Sequence, residues 1–173
     1  MASTWSAASQ AIAYASAKKM IDVFNGASSA KTIKVYQILA FNNGTGAVTG
    51  VLTALQIVRT SAASAGTTIT PTAFNLGDAA LDANTSAGTG RTVTTGAVFR
   101  QVLYQNDEPT VTTLDMDALL TLVPYATLWS VGYGDATVEP ITCRASNAEG
   151  VALFQPGANA VGTMDAEMIF TNT

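Results

Sequence analysis

Lys31 to Ser61 reads KTIKVYQILAFNNGTGAVTGVLTALQIVRTS. Two runs rich in Val, Ile, Leu and Thr flank Asn42-Asn43-Gly44-Thr45-Gly46. β-Branched and aromatic residues favour a pleated backbone, and Asn-Gly tolerates the positive φ of a tight reversal. The pattern predicts a β-hairpin. On the first arm Ile33, Val35, Leu39 and Phe41 face one side, and Tyr36, Ile38 and Ala40 the other. On the second, Val51, Leu55 and Ile57 oppose Leu52, Ala54 and Val58. A strand apolar on both sides is buried on both sides. One face enters the domain's own core, and the other calls for a second layer, which a neighbouring subunit would supply.

The chain has 173 residues, enough for one domain with its own core. Charged residues are 12% of the total, about half the roughly 25% usual in soluble domains. So thin a charged surface favours subunit contacts over a free-standing enzyme. Net charge is -4 and the pI about 4.5, and the eight Lys and Arg residues are scattered, which argues against nucleic-acid binding. The sequence has no histidine and one cysteine, Cys143. Zinc sites of the usual kinds, Ser-His-Asp and Cys-His catalysis and an internal disulfide are therefore excluded. No apolar run approaches the roughly 20 residues of a membrane span. Met1-Ala2-Ser3-Thr4-Trp5 lacks the basic start of a signal peptide.

Residues 1–17 are rich in Ala and Ser and carry few large apolar groups, so they read as an N-terminal arm, extended or a short helix. Residues 18–173 then form a single domain. Lys18–Asn25 reads as a strand. Thr67–Phe74 is an edge strand, because Pro71 has no amide to donate. Asn75–Arg91 is a long surface loop. Strands follow at Thr92–Gln105, Thr127–Tyr133, Pro140–Ala145 and Val151–Gln155, with Asp115–Val123 strand or helical turn. Thr163–Thr171 alternates Met164, Ala166, Met168 and Phe170 inward with Asp165 and Glu167 outward. The expected fold is all-β, a β-sandwich or jelly roll of about eight to ten antiparallel strands.

Little in this inventory carries chemistry. Asp115 and Asp117 lie two apart, and Asp107 and Glu108 share a turn, but nothing selects two carboxylates to work across a sugar. Asp115-Met116-Asp117-Ala118 fails as a calcium loop at its next ligand position. Gly88-Thr89-Gly90 lacks the third glycine and the helix of a dinucleotide fingerprint. Asn43-Gly44-Thr45 and Asn84-Thr85-Ser86 read as turn chemistry. Trp129, Tyr125 and Tyr133 offer a sugar-stacking platform or, as the plainer reading, core packing. Cys143 reads as a small apolar strand residue. No catalytic, cofactor-binding or metal-binding residue is expected.

The C-terminal third has a further pattern. Glu139-Pro140-Ile141-Thr142-Cys143-Arg144, Glu149-Gly150-Val151-Ala152-Leu153 and Gly162-Thr163-Met164-Asp165-Ala166-Glu167 resemble the last strands of small jelly-roll proteins of tailed-bacteriophage heads. Lys31–Thr60 resembles their core hairpin. The resemblance implies a structural, non-enzymatic virion component: a capsid decoration or cement protein, made in the host cytoplasm and carried on the capsid surface. Its partners would be the major capsid protein and itself, as a homo-oligomer, often a trimer, with neither nucleic acid nor membrane. Two other readings stay open. One is a self-assembling filament or tube subunit, and the other a carbohydrate-binding module of a phage tail or cell surface.

Overall fold

The computed structural model describes residues 3–42, 51–106, 125–131, 139–157 and 162–173. The hairpin turn at Asn43–Gly46 and the acids Asp107, Glu108, Asp115 and Asp117 lie outside them, as does Tyr133. The strands are β1 (Ser3–Ala13), β2 (Lys18–Asn25), β3 (Ile33–Asn42), β4 (Val51–Ser64), β5 (Thr67–Ile69), β6 (Thr72–Ala73), β7 (Thr85–Thr89), β8 (Thr92–Asn106), β9 (Tyr125–Ser130), β10 (Ile141–Cys143), β11 (Glu149–Gln155) and β12 (Thr163–Asn172). No helix occurs among the described residues.

Two antiparallel sheets hold these strands. Sheet A runs β10-β3-β12-β1-β6, with β9 also paired to β3, and sheet B runs β5-β7-β2-β11-β4-β8. Take β1, β2, β3, β4, β8, β10, β11 and β12 as eight strands in chain order. Sheet A then holds the sixth, third, eighth and first side by side, and sheet B the second, seventh, fourth and fifth. That interleaving is a jelly roll. The inner faces share one core, including Trp5, Ile38, Met168 and Phe170 from sheet A and Ile21, Leu55, Ile57 and Leu153 from sheet B.

The expected hairpin is not formed. β3 pairs with β12, β9 and β10, while β4 pairs with β11 and β8 in the other sheet. β3 and β4, neighbours in the sequence, thus belong to opposite layers.

The two-faced reading of β3 also has a local resolution. Against β12, Ile169 pairs with Gln37 and Phe170 with Val35, so Tyr36 is an extra, bulged residue. A bulge shifts the side-chain alternation by one. Ile33 and Val35 before it, and Ile38 and Ala40 after it, therefore all reach the core, each fully buried. One inward face, phase-shifted midway, accounts for a run that looks apolar on both sides.

Three other segments differ from expectation. Residues 3–13 are strand β1, paired with β12 along its length and touching β6 on its other edge. Trp5, Ala7 and Ile12 belong to the core, so the segment is neither a helix nor detached from the sandwich. Thr67–Phe74 splits around Thr70-Pro71: β5 pairs with β7 in sheet B and β6 with β1 in sheet A. The stretch read as a loop contains β7, an interior strand between β5 and β2. Its Ala87 is fully buried.

The long strands of sheet B make one bent ribbon. Ser64 pairs with Thr92 at the end of the β4–β8 ladder, and Thr67 with Thr89 in the β5–β7 ladder, so the register is continuous across the gap. The bend falls at Ala65 and Gly66 on one strand and Gly90 on the other, all with positive φ. In a flat sheet β4 and β8 would stand about 10 and 14 Å from β2, two and three strand spacings away. Their backbones instead come within 8 Å of it. The ribbon folds back over the outer face of sheet B.

Candidate functional site

Beneath this arch, β2 turns polar residues away from the core. Ile21 and Val23 point inward, and Asp22 and Phe24 outward. Opposite β11, Leu153 meets Ile21 and Phe154 meets Lys19, so Met20 is bulged out of the pairing and Lys19 shares the outer face with Asp22. Both side chains are fully buried. Arg91, at the ribbon's bend, reaches under it to Asp22, 3.3 Å from Nη1 to Oδ2. Arg91 also donates to the Ala87 carbonyl at 2.7 Å and the Ser86 hydroxyl at 3.0 Å. Lys19 donates to the Ala62 carbonyl of the ribbon at 3.1 Å and lies 3.9 Å from Asp22 Oδ2. Both cations thus address one carboxylate oxygen. Among the described residues Oδ1 has no hydrogen-bond partner. Burial pulls Lys19 down to about 8, against the attraction of Asp22 and with the repulsion of Arg91. Burial likewise pushes Asp22 up to about 6, and outweighs the two cations that favour its charge.

Glycines make room for this packing. A β-carbon on Gly88 would collide with the Arg91 side chain, and one on Gly150 with Thr60 of the ribbon and Phe24. Val58 and Ala152, paired across β4 and β11 on the outer face, are sealed beside the cluster.

The opposite side of the ribbon is exposed. β8 is the outermost strand at one edge of sheet B among the described residues. Its sequence TVTTGAVFRQVLYQN has a single charge, Arg100, which turns toward sheet A and donates to the Leu128 carbonyl. Val98, Phe99 and Leu103 are 50%, 40% and 66% exposed. Phe99 is covered on one side by the Arg59 guanidinium, 5.1 Å from its ring centre, a cation–π contact.

A second concavity, of about 360 Å³, lies on the outer face of sheet A. It is lined by Ser9, Gln10, Phe41, Asp165 and Glu167, among others. Its carboxylates are tied down: Asp165 accepts from the amide of Ala11 in a β1 bulge, and Glu167 from the Ser6 hydroxyl at 2.6 Å.

The sequence-nominated groups are dispersed. Asp165 and Glu167 face outward as expected, but line a groove. Trp129 is half-buried on β9 and packs against the core, the plainer of its two readings. Cys143 is buried in β10, and its burial, the largest influence, pushes the thiol up to about 12. Among the described residues no three metal-ligating side chains converge, and no helix is long and apolar enough to cross a membrane. Lys19, Asp22 and Arg91 were not singled out by the sequence, because no motif links them. The signal available was an acid, Asp22, inside the otherwise apolar run Met20–Phe24. Comparison of the chain with protein-family models, curated proteins and solved structures finds no match.

Proposed function

We propose that this protein is a structural, non-enzymatic virion component, a capsid decoration protein that binds the major capsid lattice and associates with itself, as a trimer. The observation that carries the reading is the outer surface of β8: a long edge strand presenting Val98, Phe99 and Leu103, whose only charge, the exposed Arg100, is hydrogen-bonded across to the Leu128 carbonyl of sheet A. Exposed apolar edges of this kind are normally blunted by outward charges or covered by another chain. The jelly-roll strand order agrees with the resemblance in the C-terminal strands, since this fold recurs in viral capsid and lectin domains. Fold is an analogy for function, and the surface is the stronger support. Five of the seven described acids, Asp22, Asp82, Glu149, Asp165 and Glu167, are engaged in ties between segments, a use suited to a scaffold.

A second reading, a carbohydrate-binding module, is favoured by the sheet A groove, where Phe41 lies beside Ser9, Gln10, Asp165 and Glu167. An aromatic face with flanking polar groups suits a sugar ring.

Sedimentation velocity at micromolar concentration, with co-sedimentation on decoration-free phage capsids, tests the proposal. The expected result is a discrete oligomer that adds to capsids, and that Leu103→Lys and Val98→Lys weaken without loss of the β circular-dichroism signal. A stable monomer that ignores capsids overturns it. Glycan-array binding lost on Phe41→Ala would instead establish the second reading.

A further inference from the structure

The arch encloses more positive charge than it neutralises. Lys19, Asp22 and Arg91 are sealed together, two cations to one carboxylate. Among the described residues the surrounding elements bring no other charge to this face. β11 opposes it with Gly150, Ala152 and Phe154. β7 adds the Ser86 hydroxyl, and the ribbon strands add the Ala62 carbonyl, Thr60 and uncharged Thr92–Thr95, while Arg59 of β4 is engaged elsewhere, by the Thr142 carbonyl and Glu149. A charge buried without full compensation is costly, and the protein relieves it either by shedding a proton or by letting water in. Arg91 cannot shed a proton. Lys19 can, and it is the group tied directly to the ribbon backbone.

We infer that Lys19 is a surplus buried cation that loads the bent ribbon as a proton-controlled latch. While Lys19 is charged, the segment around Ala62 and Thr94 lifts readily from sheet B to hydrate the ammonium. When Lys19 loses its proton, the Arg91–Asp22 pair remains, balanced, and the ribbon clamps down. The positive-φ bend at Ala65, Gly66 and Gly90 supplies the hinge. The inference does not depend on the proposed virion role.

The direction with pH follows. Closed, Lys19 titrates at about 8, and lifted into water near its ordinary 10.5. Between these values the open ribbon holds one proton more than the closed one, so raising the pH favours closure. One proton gives at most about tenfold per pH unit. Asp22 titrates lower, at about 6, and its effect has the opposite sign, so it stays outside this window.

The test is amide hydrogen exchange of the whole protein, followed by mass spectrometry and normalised for intrinsic rates, from neutral pH to about pH 10. Peptides over 59–64 and 92–97 are expected to gain protection relative to β12 as pH rises through 8. Lys19→Met is expected to give the high-pH protection already at neutral pH and to remove the pH dependence. Unchanged pH dependence in Lys19→Met, or a ribbon that exchanges faster in it, overturns the latch. Should Lys19→Met fail to fold, NMR titration of the wild-type Lys19 side chain decides. A midpoint near 8 that tracks the Ala62 and Thr94 amide shifts supports the inference, and a midpoint near 10.5 overturns it.

Discussion

The Arg91 side chain crosses the bare backbone of Gly88, occupying the space a β-carbon would need. Only with that crossing can its guanidinium pass under the ribbon to Asp22. Gly88→Ala should therefore displace Arg91 and strand Asp22 beside Lys19. The expected loss is about 1–3 kcal/mol, the usual range for overpacking a tight site. Urea denaturation of the variant measures it, and a midpoint equal to wild type would mean that Arg91 has another route to Asp22.

The N-terminal strand gives a second prediction. β1 lies between β12 and β6 and places Trp5, Ala7 and Ile12 in the core. Removing residues 1–13 should abolish the cooperative thermal transition, and Trp5→Ala alone should cost about 3–5 kcal/mol. A truncated chain that still melted in one sharp transition would show β1 to be dispensable, as an arm would be.

Acid sensitivity should centre on Glu149. Burial acts to raise its carboxyl, but hydrogen bonds from the Arg144 side chain and amide, with the charges of Arg144 and Arg59, outweigh it and hold the group below its ordinary 4.5. A depressed carboxylate contributes stability that is present above its unfolded pKa and lost as pH falls through the folded one. The wild-type melting temperature should thus fall more steeply below pH 4.5 than that of Glu149→Gln. Parallel curves for the two proteins would refute this.

Cys143 supplies an internal reporter. Its thiol is inaccessible and held protonated by burial, and the thiolate is the reactive form. Disulfide reagents should label it only through opening of the sandwich, with rates that follow added urea. Prompt labelling of native protein at neutral pH would contradict the burial of β10.

Much of the fold could be read from residue order, because β-period patterns survive locally. Met164, Ala166, Met168 and Phe170 in β12 behave as their alternation implies, and Pro71 implies an edge, which β5 and β6 each occupy in their own sheets, though not the split between them. What was illegible depends on distant partners. Nothing in Lys31–Ser61 says that β4 will choose β11 and β8 over β3, since the choice is made by strands far along the chain. The Tyr36 bulge is likewise visible only against β12. β7 reads as loop because Thr-Ser-Ala-Gly-Thr is small and polar, and its smallness is what admits Arg91. The outward-facing acids of β12 were legible, but their place in a groove required β1 and β3 beside them. Lys19, Asp22 and Arg91 escaped notice because their meaning lies in burial and in a ratio of charges, which no spacing encodes.

The β1–β12 ladder has a consequence for synthesis on the ribosome. β1 emerges before every other strand of the domain, and its main partner, β12, after all of them. The β4–β8 ribbon can close over the short span between its strands, a modest loop-entropy cost, while β1 must wait. Until β12 arrives, Trp5 and Ile12 sit on a nascent strand with one long edge unpaired. A ribosome stalled late in the message would therefore hold a chain with sheet B free to assemble and sheet A split along its middle, the intermediate most exposed to pairing with a neighbouring nascent copy.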